Sequence, residues 1–323
     1  MATTTIWGTN TLTSLSNRYL VKRITDVVFL GSPLTFRFKA RNKLVISGGT
    51  WIEVPFMYAK PGSGGWYSGP EILQTIPFDV VQDGSFNWAQ LYDNVTVDGL
   101  TLNQAESDEK AMDFLTAQFE MAKLNWLDNL AYGFWSDGSN PKSMIGLLAA
   151  VDAGTVAPTY AGLTRSSNPW LNSQVDSTTT TMSLNSLNNL FGSATTGGRA
   201  PTLIIGTRAN YVRYQNLNVT IQQFPTAPGM RDQQFAAAGF DHLVFNNVPW
   251  LVDDHIPTTG TEGNLFMLNE EYFQFYVGKG GNFVIEDFVK PPNQDAMTAI
   301  MKLYCQLICT NPQRQAKFTA LAA

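Results

Sequence analysis

The chain has 323 residues, enough for one large domain or two ordinary ones with a buried core. Charged residues make up only 15% of it, against about 25% in typical soluble domains, which suits either contact with other copies or a merely polar surface. A net charge of -5 argues against a dedicated nucleic-acid binder, because such proteins usually carry a basic face.

Targeting signals and cysteine usage point to a reducing compartment. No apolar run reaches the roughly 18 residues of a membrane span, and residues 1–20 lack the apolar core of a signal peptide. We therefore expect no membrane partner and synthesis in a reducing cytoplasm. Cys305 and Cys309 lie four positions apart on a predicted strand, on one face and too far apart for a disulfide. We expect both to be buried free thiols.

The first 44 residues show little periodic order at their start. Residues 21–30 are compatible with a short helix. Phe36 and Phe38 alternate with basic residues, which predicts a strand with one apolar face. The stretch is either a solvated arm or a contact for acidic neighbours or packaged nucleic acid. Its basic residues are Arg37, Lys39, Arg41 and Lys43.

Residues 45–98 predict two strands joined by a long irregular connection. Trp51 begins the first strand, and alternation of apolar and polar residues predicts the second from Ser85 to Leu100. Prolines and glycines between them exclude the middle of a compact sheet. Because an isolated hairpin is marginal in water, something outside it must hold it. Trp66 and Tyr67 follow the glycine-rich break and would be wet in a monomer.

Residues 105–135 predict a long helix. Ser107 is a suitable N-cap, and apolar residues recur every three or four positions from Met112 to Leu130, forming one stripe. Gly133 and the turn after it end the helix. About 25 residues would span roughly 37 Å, long enough to serve as a spine.

The remaining residues alternate short strands and helices, which predicts an α+β protein. Ser183 could cap a short helix through Phe191. Residues 201–207 predict a buried strand that leads into a helix, and residues 242–278 predict short strands separated by turns. Residues 282–292 and 296–321 predict two long strands.

Motifs for catalysis are missing from the sequence. The glycine-rich segments complete neither a phosphate-binding loop nor a dinucleotide fingerprint, and there is no nucleophile elbow. The two histidines, His242 and His255, have aspartates beside them, among them Asp253. That arrangement leaves a metal or acid–base site open beside the simpler alternative of turn residues at strand ends. We expect no cofactor and no enzymatic activity.

The order of these segments resembles that of tailed-bacteriophage major capsid proteins of the Hong Kong 97-type fold. The resemblance rests on five stretches and covers most of residues 36–323. The stretches are residues 44–81, 86–107, the helix end at 125–138, 159–176 and 303–321.

The resemblance implies a division of the chain into four parts. Residues 1–44 would form an N-terminal arm, and residues 45–99 an extended β loop that lies over a neighbouring subunit. Residues 100–135 and 282–323 would form a peripheral domain around the spine helix. Residues 136–281 would form an axial domain that meets its copies around symmetry axes.

The implied function is that of a structural protein whose pentamers and hexamers build an icosahedral shell around double-stranded DNA. A portal and a separate scaffolding protein would be its partners, and the shell would assemble in the host bacterial cytoplasm to become the virion. Large aromatic residues and the basic stretch then become candidates for contact between subunits. These candidates are Trp51, Trp66, Tyr67, Trp88, Arg37, Lys39, Arg41 and Lys43.

Two alternatives remain. The same fold could build an encapsulin-like compartment that holds a cargo enzyme. A protein of another class, a carbohydrate-binding module or hydrolase, would use aromatic residues as a sugar platform and Asp253 with Glu286 as an acid pair. The platform residues would be Trp66, Tyr67, Trp88 and Trp170.

Overall fold

The structure is a computed structural model. It describes residues 32–41, 43–60, 62, 65–73, 79–100, 108–221, 243–257, 264–319 and 321. The expected helix at residues 21–30, the Ser107 cap and His242 lie outside the described residues.

Helices and strands are both well represented, which agrees with the α+β class. The helices are α1 (Pro33–Arg41), α2 (Asp108–Phe134), α3 (Leu147–Ala150), α4 (Leu184–Ala194) and α5 (Arg208–Ile221). The strands are β1 (Lys43–Ile46), β2 (Trp51–Met57), β3 (Val81–Asn87), β4 (Ala89–Asp98), β5 (Thr159–Tyr160), β6 (Leu163–Thr164), β7 (Gln174–Asp176), β8 (Leu203–Gly206), β9 (Leu243–Phe245), β10 (Val248–Val252), β11 (Leu265–Leu268), β12 (Phe273–Gly278), β13 (Val284–Ile285), β14 (Ala296–Cys309) and β15 (Ala316–Phe318).

The first sheet is organised around β14. Its strand order is β1-β12-β14-β13, and β4 also pairs with β14. β4 is antiparallel to the first part of β14, from Asp98 opposite Ala296 to Ala89 opposite Cys305. β12 pairs with the end of β14, as far as Cys309. Both cysteines are buried free thiols, as predicted.

Helix α2 lies against the β4 side of this sheet. Leu115 and Phe119 are buried in one cluster with Val95 and Val97 of β4. Further along, Trp126 and other buried residues of α2 join the main core. The predicted stripe of apolar residues is therefore confirmed for the part of the helix whose side chains are described. None of the helices within the described ranges has the length and hydropathy of a membrane span.

The second sheet has the strand order β7-β15-β11-β8-β10-β9. Residues 203–206 form the predicted buried strand β8, and all four are buried. The helix that follows is α5. The Ser183 cap is confirmed as a capping box with Ser186, although α4 continues to Ala194, three residues beyond the predicted end. Tyr214 of α5 stacks on Trp250 of β10, with ring centroids 4.5 Å apart.

The predicted strand around Phe36 is wrong, because this segment forms helix α1. Leu34 and Phe38, four residues apart on one side of the helix, are both fully buried. The Phe38 ring lies 5.7 Å from Phe134 of α2 and 5.4 Å from Phe273 of β12. The alternation extends over only four residues, which is too short a segment to distinguish the strand period of two residues from the helical period of 3.6.

Three further strand predictions need correction. The long strand predicted for residues 296–321 divides into β14 and β15, which belong to different sheets. The strand predicted from Ser85 to Leu100 is interrupted at Trp88, so that β3 and β4 belong to different sheets. The long strand predicted for residues 282–292 is limited to β13. Phe283, immediately before β13, has a φ of 55°, in the left-handed region that strands do not use.

Candidate inter-subunit surface

The candidate surface lies on the hairpin formed by β2 and β3. The strands are antiparallel, with Trp51 opposite Asn87 and Met57 opposite Val81, which confirms the predicted two-stranded excursion. Exposed and buried residues alternate strictly along β2. The hairpin therefore has one face on the core and one face in solvent.

Beyond the paired strands, the described residues of the connection expose large apolar side chains. Trp66 is 105% exposed and Ile72 is 96% exposed, and Tyr67 is also exposed. Clustered apolar residues in solvent are typical of interaction surfaces. We call residues 65–73 the hairpin tip. Ile72 was not among the predicted contact residues, although its position just after Pro70 in an irregular segment was a usable signal.

The two other candidate tryptophans lie near the base of the hairpin. Trp51 is half exposed, and its Nε1 donates to Glu53 Oε1 at 2.6 Å. The indole of Trp88 packs against the core of its own chain and donates to the Gly49 carbonyl at 3.1 Å. Trp88 is therefore chiefly an internal residue, whereas Trp51 resembles the tip in its exposure.

The basic stretch does not form one solvated face. Arg37 is buried and forms an ion pair with Glu270, which is also buried, so the expectation of a solvated arm is wrong for this residue. Lys39 Nζ and Lys43 Nζ lie 4.3 Å and 5.3 Å from the centroid of the Phe283 ring. Burial, and secondarily the charge of Lys43, lowers the pKa of Lys39 to about 8. The side chain of Arg41 is not among those described.

His255 is held between two carboxylates. Its Nδ1 lies 3.0 Å from Asp253 Oδ1, and its Nε2 lies 2.9 Å from Asp128 Oδ1. Asp253 also accepts a hydrogen bond from Ser32 Oγ at 2.6 Å. The hydrogen bond to Asp253, followed by the one to Asp128, raises the pKa of His255 to about 9. A charged imidazole with both nitrogens engaged acts as a clamp between elements and not as a general base.

The arrangement does not support a metal site or a hydrolase pair. Within the described residues, no group of three or more potential ligands could hold a metal ion. Asp253 is engaged by His255 and Ser32, and Glu286 forms an ion pair of 2.5 Å with Lys302. Both carboxylates are thus accounted for by contacts within the fold.

The four aromatic residues of the sugar-platform alternative do not share an exposed face. Trp66 and Tyr67 lie in solvent. Trp88 packs on the core, and Trp170 is partly buried against Phe56, with ring centroids 5.5 Å apart. Of these four residues only Trp66 and Tyr67 are exposed, so the four do not form a platform for a sugar.

Comparisons with known proteins identify the fold. No protein-family model matches the sequence, and no curated protein matches it. Among solved structures, the capsid asymmetric unit of cyanophage A-1(L) matches with a TM-score of 0.64 and 11% identity, covering 93% of each chain. The capsid of the native GTA particle matches with a TM-score of 0.59 and 10% identity, covering 88% of this chain and 89% of that one.

A third similar structure is the SrpI encapsulin complex from Synechococcus elongatus PCC 7942, with a TM-score of 0.56, 10% identity and 88% coverage of both chains. At these identities the likeness concerns the fold. It extends over nearly the whole of each chain, so it is a likeness of complete architecture and not of a shared fragment. The chain therefore has the mixed α+β fold of phage capsid proteins, the Hong Kong 97-type fold implied by the sequence resemblance.

Proposed function

We propose that this chain is the major capsid protein of a tailed bacteriophage, a structural subunit whose pentamers and hexamers form an icosahedral shell around double-stranded DNA. The proposal is supported by the match to the cyanophage capsid over 93% of both chains. The predicted order of segments agrees with it independently of the structure.

The observation that carries the proposal is the exposed apolar tip. Trp66 and Ile72 have almost no contact with their own chain, although burial of one such side chain is worth about 2 kcal/mol. A second copy of the chain is the partner that this fold offers. Many modest contacts of this kind, repeated around a shell, stabilise it without any single strong bond.

A structural role also fits the state of the reactive side chains. His255 is engaged on both ring nitrogens. Burial raises the pKa of Cys305 and Cys309 to about 12, which keeps both thiols protonated and unreactive. The side chains best suited to chemistry thus serve the fold, in line with a protein that is not an enzyme.

The proposal includes the domain boundaries that we inferred from the sequence. The hairpin belongs to the extended loop of residues 45–99, α2 is the spine of the peripheral domain, and residues 136–281 form the axial domain. A portal, a separate scaffolding protein and enclosed DNA are the proposed partners, and the mature location is the virion.

The second candidate is a cargo-holding compartment of the encapsulin kind. It is favoured by one observation, the match to the SrpI encapsulin at nearly the same coverage as the capsids. The higher TM-score of the cyanophage capsid favours the viral shell. The contents of the shell distinguish the two functions, since one encloses DNA and the other encloses protein.

The test is negative-stain electron microscopy with light scattering on the purified chain, over a range of protein and salt concentrations. We expect rings of five or six subunits, closed shells or tubes whose amount increases steeply with concentration. Nuclease-resistant DNA in particles from infected cells would support the capsid over the compartment. A stable monomer under all conditions would mean either that assembly requires the proposed scaffolding protein or that both functions are wrong, and a monomer that persists in the presence of the scaffolding protein would count against both.

A further inference from the structure

The outer half of the hairpin, from Ser85 to Tyr58, is seated in a socket supplied by its own chain. We define the socket as β5, β6 and the 3-10 turn Pro169–Leu171. β5 and β6 are joined by Ala161 and Gly162, with φ angles of 55° and 75°, which form a tight two-residue turn. Ser85 of β3 donates its backbone N–H to the Ala161 carbonyl at 3.0 Å. The socket thus adds a hydrogen bond to the outer edge of the hairpin.

The contact between hairpin and socket leaves no room at Gly84. A Cβ built on Gly84 would lie 2.5 Å from the Phe56 ring and 2.7 Å from Ala161 Cβ. The backbone of β3 therefore approaches the socket as closely as only glycine permits. Any side chain at this position has to move the hairpin, the Phe56 ring or the socket.

Aromatic rings hold the other strand against the same socket. The Trp170 ring lies 5.5 Å from Phe56 and 6.1 Å from Tyr58, in the second case stacked at an interplanar angle of 27°. Phe56 and Tyr58 are successive residues on one side of the strand and its continuation. Trp170 consequently contacts the hairpin at two points along its length, which fixes its inclination as well as its position.

The socket itself is held rigidly by the core. Arg165 is buried, and its guanidinium donates to the Ala149 carbonyl at 2.7 Å and also to the carbonyls of Asp152 and Leu171. The Tyr160 hydroxyl, also buried, accepts a hydrogen bond from the Cys309 backbone N–H at 2.8 Å. Multiple buried hydrogen bonds of this kind oppose local movement.

We propose that the socket presets the inclination of the hairpin inside each chain, so that the curvature of the shell is encoded before copies meet. The inference rests on the proposed shell-forming function and specifies which residues set its geometry. Trp170 and Gly84 are positioning residues, since neither is placed at the exposed tip that would meet a neighbour.

The socket holds the part of the hairpin that a tilt would move most. The seven-residue strands extend about 23 Å at roughly 3.3 Å per residue, so a tilt of about 10° about the base at Trp51 and Asn87 would displace the outer end, which contacts the socket, by roughly 4 Å. A displacement of that size would separate side chains whose surfaces lie less than about 1 Å apart, which is the usual limit of a packing contact. Subunits with a tilted hairpin would therefore meet at a different angle.

The test compares two alanine substitutions that each add one methyl group. Gly84→Ala fills the closest contact with the socket. Gly192→Ala, in helix α4 and outside the hairpin, is the matched control, because a Cβ there would meet nothing within 4 Å. Trp170→Ala and the conservative Trp170→Phe form a second pair. For each full-length variant, unfolding in urea and near-UV circular dichroism report the fold, and electron microscopy gives the distribution of shell diameters.

We expect Gly192→Ala and Trp170→Phe to yield shells of the wild-type diameter. Gly84→Ala and Trp170→Ala should fold, form capsomers, and reduce shells of that diameter by about tenfold in favour of other diameters, open sheets or tubes. Wild-type diameters from a folded Trp170→Ala variant would overturn the inference, and so would equal effects of the two glycine substitutions. If Gly84→Ala does not fold, the comparison of shell diameters between Trp170→Ala and Trp170→Phe tests the inference by itself. A wild-type chain that never assembles, alone or together with its scaffolding protein, would instead refute the proposed function.

Discussion

His255 Nε2 and Asp128 Oδ1 are 2.9 Å apart, which joins the turn after β10 to the C-terminal part of helix α2. Asp253 extends this contact to Ser32 at the start of α1. The Tyr132 ring, one turn further along α2, packs against the imidazole edge with centroids 5.1 Å apart. One imidazole thus links three segments that are far apart in the sequence.

The contacts of His255 with Asp253 and Asp128 predict that the free energy of unfolding depends on pH. The pKa of His255 is about 9 in the folded chain, against an ordinary value of about 6.5 when unfolded. A raised folded pKa stabilises the fold fully below pH 6.5, and this contribution is lost as the pH rises towards 9. Because Asp128 is half exposed, solvent screening reduces the contribution to about 1 kcal/mol.

Urea unfolding from pH 6 to pH 9.5 measures this effect. We expect the free energy of unfolding of the wild type to fall over that range by about 1 kcal/mol more than that of His255→Gln. Parallel curves for the two proteins would show that the imidazole does not contribute as a cation.

A second prediction concerns buried and exposed ion pairs. Arg37→Met leaves the carboxylate of Glu270 buried without its guanidinium and should cost about 3 to 5 kcal/mol of folding stability. Arg199→Met is the control, because the Arg199–Glu271 pair is more than half exposed on both sides, so its loss should leave the free energy of unfolding nearly unchanged. Urea unfolding of both variants checks the prediction, which similar losses would contradict.

A third prediction separates the surface from the core. Trp66→Ala should leave the free energy of unfolding within about 0.5 kcal/mol of the wild type, because the side chain is fully exposed. It should raise the concentration at which shells appear by about tenfold, since one buried anchor is lost. Trp135→Ala, in the core, should instead cost about 3 to 5 kcal/mol of stability. An unchanged assembly threshold for Trp66→Ala would remove this residue from the interface.

The cysteines give a fourth prediction. Since burial raises the pKa of Cys305 and Cys309 to about 12, neither thiol should react with an aromatic disulfide reagent at pH 8 in the folded chain. Both should react once the chain is unfolded in guanidinium chloride. Absorbance of the released thiolate counts the reactive groups, and rapid reaction of the native protein would show local opening of β14.

The segments predicted correctly are those in which several local signals agree. Helix α2 has a sustained apolar stripe, and β8 is a short apolar run between turn residues. Helix α1 was mistaken for a strand, because its burial depends on partners that local sequence does not contain. Arg37, for example, forms its ion pair with Glu270, which lies 233 positions later in the chain.

The candidate surface was predictable to a similar degree. Exposure of Trp66 and Tyr67 follows from the glycine-rich break before them. The inward orientation of Trp88 does not, because its partner, the Gly49 carbonyl, is brought near only by the pairing of β2 with β3. The socket at Trp170 likewise required the path of the whole chain, since it joins two segments that local patterns treat separately.

The pairing of β4 with β14 governs the order of events during synthesis. Asp98 meets its partner Ala296 about 200 positions later in the chain, a contact of very high sequence separation. At ribosomal rates of about 5 to 20 residues per second, β4 waits about 10 to 40 s for that partner to be made. During this interval the sheet beneath α2 lacks β14, and the strand β4 that follows the hairpin has no partner. For a chain that forms shells as proposed, we expect assembly only after translation has passed β14, so that truncated chains do not join the shell.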